Sequence, residues 1–161
     1  LLGVLSGHTE EDANAVNAPL LAEERGIAVS ETRNPHARDF TDLLRVTVVS
    51  GGQRTRVVGT VLGSRHRPHL LEAWGQRFNL QLEPNLVFFK YRDVPGMIGR
   101  VGTAFGDAGI NIASAAVGYA PEGDEADTAV MVVTTTGPVP PAVIEQLLGQ
   151  EDFLQGTAVA L

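Results

Sequence analysis

The stretch Leu86-Val87-Phe88-Phe89-Lys90-Tyr91-Arg92-Asp93-Val94-Pro95-Gly96 decides the fold of the second half of this chain. Its first six residues are mostly branched or aromatic and predict a strand, and Asp93 to Gly96 has the composition of a turn. Apolar residues then recur at helical spacing, at Ile98, Val101, Phe105 and Ala108. Gly109 is placed to end that helix.

The pattern continues to the C-terminal end. Ile110 to Tyr119 and the β-branched run Thr128 to Thr136 predict two strands, separated by the acidic loop Pro121 to Glu125. Pro140-Pro141 opens a helix that runs through Leu148 and stops at Gly149, and Phe153 to Leu161 predicts the last strand. The order β-α-β-β-α-β is typical of a ferredoxin-like domain, with two helices on one face of a four-stranded antiparallel sheet.

The first half has a different pattern. Thr9 and the acids after it predict a helix start, and a second helix is predicted from Pro19 to Arg25 with a stop at Gly26. The predicted strands are Ile27 to Arg33, Leu43 to Val49, Arg54 to Leu62, His69 to Trp74 and Arg77 to Leu82, with turns at residues 50–53 and 75–76. These elements predict helices packed on an antiparallel sheet, so the whole chain is α+β. The boundary is predicted near Glu83-Pro84-Asn85, which gives domains 1–84 and 85–161.

Charge and composition exclude several function classes. The 161 residues carry a formal net charge of −7, of which residues 85–161 contribute most, so broad electrostatic binding to nucleic acid or anionic lipid is not expected. No apolar run is long enough to span a bilayer. The absence of cysteine excludes disulfides and thiol chemistry and suits a cytoplasmic protein. The chain begins at Leu1 without a methionine, which predicts a fragment of a longer polypeptide.

The sequence offers no catalytic residues. Gly96, Gly99 and Gly102 fit neither the dinucleotide fingerprint nor a P-loop, and no Gly-x-Ser-x-Gly elbow is present. His66 and His69 are three residues apart, but Pro68 lies between them, which favours solvated or anion-facing histidines over a metal site. Neither catalysis nor metal binding is therefore predicted.

The first candidate binding site is the turn Tyr91 to Gly96 together with Asn111. Unpaired N–H groups at the helix start attract a carboxylate, and Asp93 is suited to an ammonium group. Gly96 permits close approach, and the amide of Asn111 can donate and accept. These groups match an amino-acid zwitterion. The alternative is structural, with Asp93 capping the helix and Asn111 capping a turn.

The second candidate site is a basic cluster in the first domain. Arg54 and Arg56 alternate onto one face of a strand, and further cations follow at Arg65, His66, Arg67, His69 and Arg77. Guanidinium groups suit phosphate or carboxylate ligands. The alternative is that exposed arginines decorate a solvated sheet.

Two groups of motifs carry a family resemblance. Tyr91 to Gly99 followed by Ala108-Gly109-Ile110-Asn111-Ile112 resembles an ACT domain, a small regulatory module that binds amino acids at dimer interfaces. Upstream, Val16 to Ile27 and Val58 to Gly63 resemble the allosteric substrate-binding, or intervening, domain of D-3-phosphoglycerate dehydrogenases. In this order the two domains are similar to the C-terminal regulatory half of the long form of that enzyme.

The resemblance implies feedback control of L-serine biosynthesis. It implies L-serine bound between two ACT domains of a homodimer or homotetramer, at Tyr91, Asp93, Pro95, Gly96 and Asn111. It also implies catalytic domains on the same polypeptide that oxidise 3-phosphoglycerate with NAD, while no cofactor is expected in this part. For the intervening domain it implies an anion site for which His69, Arg77, Arg54 and Arg56 are the candidates.

Two alternatives remain open from the sequence. One is an oligomerisation module, or a sensor of another small amino acid, without serine feedback. The other is an RNA-recognition module, which shares the β-α-β-β-α-β order and stacks bases on sheet aromatics. The negative charge disfavours RNA, as does the absence of aromatic residues from Asn111 to Val117 and from Thr128 to Thr136, taken here as the central strands.

Overall fold

A computed structural model describes residues 1–5, 12–34, 40, 42–118 and 127–161. The chain forms two compact units, residues 1–36 and 37–161. The predicted helix start at Thr9 and the acidic loop at residues 121–125 lie outside the described residues. The predicted boundary at residues 84–85 stays a prediction.

The described residues of the first unit form the helices α1 (Leu2–Leu5) and α2 (Ala18–Glu24). Pro19 lies in the first turn of α2, and Gly26 adopts a φ of +68° just after its end, as the sequence predicts. A small core joins the two helices through Leu5, Ala18, Leu21 and Ala22. The predicted strand Ile27 to Arg33 is wrong, because residues 27–34 form no helix or strand and the described part of this unit offers no neighbouring strand to pair with them.

The second unit begins with an antiparallel sheet of four strands in chain order. The strands are β1 (Leu43–Ser50), β2 (Gln53–Leu62), β3 (Arg67–Ala73) and β4 (Gln76–Gln81). Gly51 and Gly52 form the first tight turn with positive φ at both positions, as expected for a two-residue hairpin. The last turn is Trp74-Gly75, with φ of 48° and 78°, and not Gly75-Gln76. Gln76 is therefore the first residue of β4.

The remaining elements form the predicted β-α-β-β-α-β domain, which confirms the α+β fold. They are β5 (Asn85–Arg92), α3 (Met97–Asp107), β6 (Ile112–Val117), β7 (Thr128–Thr135), α4 (Pro141–Leu148) and β8 (Phe153–Ala160). The strand order is β6-β7-β5-β8, and all pairs are antiparallel. One face of this sheet packs on α3 and α4 around Phe89, Phe105, Met131 and Leu147.

The other face of the second sheet packs on the β3–β4 hairpin of the first. The shared core contains Leu70, Ala73, Phe78, Leu80, Leu86, Val130 and Val132. Trp74 meets Phe88 edge-on with ring centroids 5.9 Å apart. The two sheets therefore have one continuous apolar layer between them.

This packing corrects the argument about RNA. The central strands are β5 and β7, and β6 lies at an edge. β5 carries Phe88, so a central strand does hold an aromatic residue on the face away from the helices. RNA stacking is disfavoured for a different reason, because Trp74 of the first sheet already packs against Phe88.

Candidate functional site

The turn at residues 93–96, named the effector turn here, is anchored by backbone hydrogen bonds on both sides. The Arg92 amide donates to the Asp152 carbonyl over 2.8 Å, and the Asp93 amide donates to the Asp127 carbonyl over 2.9 Å. The Val94 amide donates back to the Arg92 carbonyl. These bonds hold the exposed Asp93 at one end of the sheet, directly before α3.

The start of α3 is open to a ligand. Gly96 occupies the N-cap position with a φ of +95°, and no side chain from the described residues caps the helix. The alternative in which Asp93 caps α3 is therefore wrong. The first amides of α3 keep their donors and the partial positive charge of a helix N-terminus, which favours an anion. Pro95 and Gly96 are both exposed, and nothing lies within 4 Å of a Cβ built on Gly96.

Tyr91 is a core residue and not an exposed contact. Its side chain is 2% exposed and packs on the helix face of the sheet, with its ring centroid 6.1 Å from that of Phe153. Burial, together with the charge of Asp93, raises the pKa of Tyr91 to about 12. The phenol therefore stays neutral at physiological pH beneath the effector turn.

Asn111 lies at the other end of the sheet from the effector turn. The Asn111 carbonyl accepts from the Thr136 amide at the end of β7, whereas Asp93 pairs with Asp127 at its start. Asp127 and Thr136, which flank β7, are nine residues of extended chain apart, which corresponds to roughly 30 Å. One copy of the chain therefore does not bring Asn111 to Asp93.

Asn111 is nevertheless available to a ligand. It is exposed, and its side-chain amide has no hydrogen-bond partner among the residues that the structure describes. The strand that follows it, β6, is hydrogen-bonded to β7 on one side, while no described strand pairs with its other side. Each copy of the chain thus holds the two parts of the predicted site, named half-sites here, at separate places.

The basic residues of the first sheet share one face. Arg54 and Arg56 face the same side of β2, and Arg56 bonds Glu72, which lies opposite Arg77 on β4. Val58 pairs with Glu72 and therefore faces the same side of the sheet. Thr60, two residues further along β2, also faces this side, so its partner His69 lies on this face too. This basic face is opposite to the side that packs on the second sheet.

The contacts on this face limit which cations are free. The Arg56 Nε lies 2.5 Å from the Glu72 carboxylate, so part of its charge is compensated. Nδ1 of His69 donates to the Arg67 carbonyl over 2.9 Å, which leaves Nε2 for a ligand. Arg54 lies six residues of β2 from Thr60, the partner of His69, which corresponds to roughly 20 Å, so Arg54 and His69 share the face without lying close together.

The structure also assigns roles to residues that the sequence did not single out. Gln76 is 3% exposed and hydrogen-bonds the backbone of β7. Arg100 on α3 bonds the loop before β8 through Glu151 and Asp152. An isolated glutamine or arginine gives no periodic signal, so the pattern could not have marked either.

The described residues contain no group of three or more histidine and acidic side chains placed to hold a metal ion. Among those same residues, none of the helices combines the length and apolar character needed to cross a bilayer.

Comparison with protein families assigns both halves of the chain. Residues 1–72 match the D-3-phosphoglycerate dehydrogenase intervening domain, and residues 85–152 match the ACT domain. The chain is homologous to the C-terminal part of D-3-phosphoglycerate dehydrogenases. This confirms the resemblance predicted from the effector turn and from residues 16–27, and it makes the chain a regulatory, ACT-containing region of that family.

Individual relatives support the assignment along nearly the whole chain. A D-3-phosphoglycerate dehydrogenase of Methanocaldococcus jannaschii is 35% identical over 147 residues, which cover 91% of this chain and 27% of that protein. Those of Archaeoglobus fulgidus and Bacillus subtilis are each 30% identical, over 100% and 96% of this chain and 30% and 29% of their own lengths. The chain thus spans less than a third of the length of these relatives.

Proposed function

We propose that this chain binds L-serine between two ACT domains and thereby regulates a D-3-phosphoglycerate dehydrogenase. The observation that carries the proposal is the separation of Asp93 from Asn111 to opposite ends of one sheet. A site made from both Asp93 and Asn111 needs a second copy of the chain. Ligand binding is therefore coupled to the packing of the subunits.

The open edge of β6 supports such an arrangement. β6 and β5 run parallel to each other, because both pair antiparallel with β7. Antiparallel pairing of β6 with the β6 of a second copy therefore brings that copy's Asn111 to the sheet end where Asp93 lies. Three of the exposed residues of β6, Ala113, Ser114 and Ala115, have small side chains, which permits close approach, and the fourth, Val117, adds exposed apolar surface. A two-fold axis then creates two equivalent sites.

The half-sites suit an amino-acid zwitterion. The uncapped start of α3 offers amide donors to a carboxylate, and the exposed carboxylate of Asp93 offers a partner for the ammonium group. The amide of Asn111 from the second copy can bond both charged groups. The absence of a Cβ at Gly96 leaves the approach to these amides clear.

Regulation requires that serine binds one arrangement of the subunits better than another. A coupling free energy of about 1–3 kcal/mol is the usual scale for such effects. In the proposal the catalytic domains, which oxidise 3-phosphoglycerate with NAD, precede this region on the same cytoplasmic polypeptide. The enzyme is then a homodimer or homotetramer whose packing responds to serine.

Mixing two variants tests the shared site. Asp93→Ala and Asn111→Ala are each expected to abolish the heat of L-serine binding in isothermal titration, with D-serine and glycine as controls. A refolded equimolar mixture regains binding at about one intact site per four chains, because half of the dimers carry one unaltered site. Asp107→Ala removes an exposed carboxylate from the same domain and is the matched control.

Three results would overturn the proposal. Normal serine affinity in Asp93→Ala would remove the effector turn from the site. Loss of binding in both variants without recovery in the mixture would contradict a site shared between copies. A dimer of the unaltered chain that binds no amino acid would instead favour an oligomerisation module.

A second proposal concerns the basic face of the first sheet. We propose that this face binds an anion that carries a phosphate group. Its basis is the common face of Arg54, Arg56, His69 and Arg77. Inorganic phosphate is expected to raise the melting temperature of the chain, and Arg77→Gln to remove that increase. Arg25→Gln, a change of an exposed arginine in the other unit, is the control, and an increase retained in Arg77→Gln would exclude this face.

A further inference from the structure

We propose that Arg100 is a positioning residue for the effector turn. It holds the turn in the binding geometry through its contacts with the loop at Glu151-Asp152, and these contacts are named the clasp here. This inference rests on the proposed function, because it concerns the same amino-acid site. It assigns a role in ligand affinity to two residues, Arg100 and Asp152, that belong to neither half-site.

The first contact joins α3 to the loop. Nη1 of Arg100 donates to the Glu151 carbonyl over 2.9 Å and lies 3.3 Å from Oδ2 of Asp152. The backbone amide of Arg100 donates to the Gly96 carbonyl over 3.0 Å, as part of the first turn of the helix. Arg100 therefore links the end of the effector turn to residues 151–152.

The second contact joins the same loop to the beginning of the effector turn. The Asp152 carbonyl accepts from the Arg92 amide over 2.8 Å. Asp152 thus holds Arg92 through its main chain and Arg100 through its side chain. The hydrogen bonds form a closed ring that runs from Arg92 through the effector turn to Gly96 and Arg100, and back through Asp152.

The backbone of Asp152 shows that this loop is held in an uncommon conformation. Its φ is +80°, in a region that residues other than glycine seldom adopt and that aspartate tolerates better than most. The adjoining ladder between β5 and β8 also changes register between Lys90 and Tyr91. The Arg92 amide binds the Asp152 carbonyl from β5, and Arg100 binds the Asp152 side chain and the preceding carbonyl from α3.

The contacts of Arg100 and Asp152 affect ligand binding by setting the distance between the groups that hold the ligand, and not through their charge alone. The ammonium group of a ligand is to be held by Asp93 and its carboxylate by the first amides of α3, so the spacing between these two groups sets the affinity. The clasp fixes that spacing, because it ties α3 and the strand before Asp93 to one loop. The side chains of Arg100 and Asp152 are 37% and 18% exposed, so solvent screens the pair only in part.

The experiment compares Arg100→Met, Arg100→Lys and Asp152→Asn with Arg45→Met, which removes an exposed arginine from β1. Hydrogen exchange of residues 92–99 is measured without ligand, and the dissociation constant for L-serine is measured by titration. In Arg100→Met we expect at least tenfold faster exchange and about tenfold weaker binding, whereas Asp152→Asn, which keeps an oxygen acceptor and leaves the Glu151 bond intact, has a smaller effect in the same direction. Arg100→Lys keeps one donor and falls between, and Arg45→Met is unchanged.

The double variant Arg100→Met with Asp152→Asn separates positioning from general destabilisation. Asp152→Asn weakens one of the two bonds that Arg100→Met removes, so the double variant is expected to bind about as weakly as Arg100→Met alone. Additive losses of affinity, or unchanged exchange at residues 92–99, would overturn the positioning role. So would faster exchange accompanied by unchanged affinity.

Failure of the proposed function gives a different result. In that case the unaltered chain binds no amino acid, while exchange at residues 92–99 still rises in Arg100→Met and not in Arg45→Met. The clasp then stands as a constraint on the turn, and the amino-acid site is rejected.

Discussion

The buried side-chain amide of Gln76 hydrogen-bonds β7 at two points, donating to the Thr128 carbonyl over 2.7 Å and accepting from the Val130 amide at 3.3 Å. The carbonyl of Val130 accepts from the Gly118 amide, just beyond the end of β6. Gln76 thus bonds the backbone of β7 close to where β6 ends. Since Gln76 begins β4, the first sheet is joined to the ACT sheet by hydrogen bonds as well as by apolar contacts.

Replacing Gln76 tests this junction. Gln76→Leu removes the bonds that Gln76 makes to the half-buried Thr128 carbonyl and to the buried Val130 amide, so the free energy of unfolding is expected to fall by about 2–4 kcal/mol. Urea denaturation measures the change. Gln146→Leu, at an exposed position of α4, is the control and is expected to shift stability by less than about 0.5 kcal/mol. An equally small effect at Gln76 would contradict the junction.

Gly118 permits the hairpin to approach the ACT sheet. A Cβ there would lie 2.5 Å from Cζ of Phe78 and 2.8 Å from Cβ of Gln76. Gly118→Ala is therefore expected to reduce the free energy of unfolding by about 1–3 kcal/mol through overpacking. Adding Phe78→Leu should restore part of that loss, whereas Gly137→Ala, which meets open space, should have little effect. A neutral Gly118→Ala would show that the hairpin is not held against the sheet.

Gly96 tests the conformation of the effector turn. Its φ of +95° strains any residue with a side chain, although the space around it is open. Gly96→Ala is expected to lower the free energy of unfolding by about 1–2 kcal/mol and to weaken serine binding. Gly102→Ala, on the exposed face of α3, should instead raise stability by about 0.5–1 kcal/mol. Equal responses at the two positions would contradict a conformational role for Gly96.

The pKa of Tyr91 predicts how stability changes at alkaline pH. The pKa is raised to about 12 in the folded chain, so between pH 10 and 12 the unfolded chain loses this proton while the folded chain keeps it. The free energy of unfolding is expected to fall by about 1.4 kcal/mol per pH unit in that window and to be unaffected by this group below pH 10.

A pair of phenylalanine variants isolates the effect of Tyr91. Tyr119→Phe removes the other tyrosine, so tyrosinate absorbance then reports Tyr91 alone. Tyr91→Phe is expected to flatten the alkaline decline in urea denaturation, and Tyr119→Phe should not. A tyrosinate transition near pH 10 in Tyr119→Phe would contradict the burial of Tyr91.

The sequence predicted the ACT sheet with small errors, because its elements carry local signals. β7 is a β-branched run, and α3 combines helical periodicity with Gly109 after its end. The first sheet was predicted less well where conformation depends on contacts. Trp74 in a positive-φ turn position is unusual, so the turn was predicted one residue too late and Gln76 was not recognised as part of β4.

The error over β6 and β5 has a similar origin. Chain order does not reveal which strands are central, because a split βαβ fold places the first and third strands in the middle. The predicted strand at residues 27–33 failed for lack of a partner, since alternation describes a strand only where a neighbouring backbone completes its hydrogen bonds.

The sequence by itself determined the class of fold, the family and the chemical character of the effector turn, because each depends on residues that are close together in the chain. Tertiary structure alone decided that Asp93 and Asn111 lie at opposite ends of the sheet, that Tyr91 is buried, and that Arg100 clasps Asp152. The physical reason is that such relationships depend on strand order and on contacts between residues far apart in the chain, such as Arg100 and Asp152, which are 52 positions apart, and local periodicity carries no signal for them.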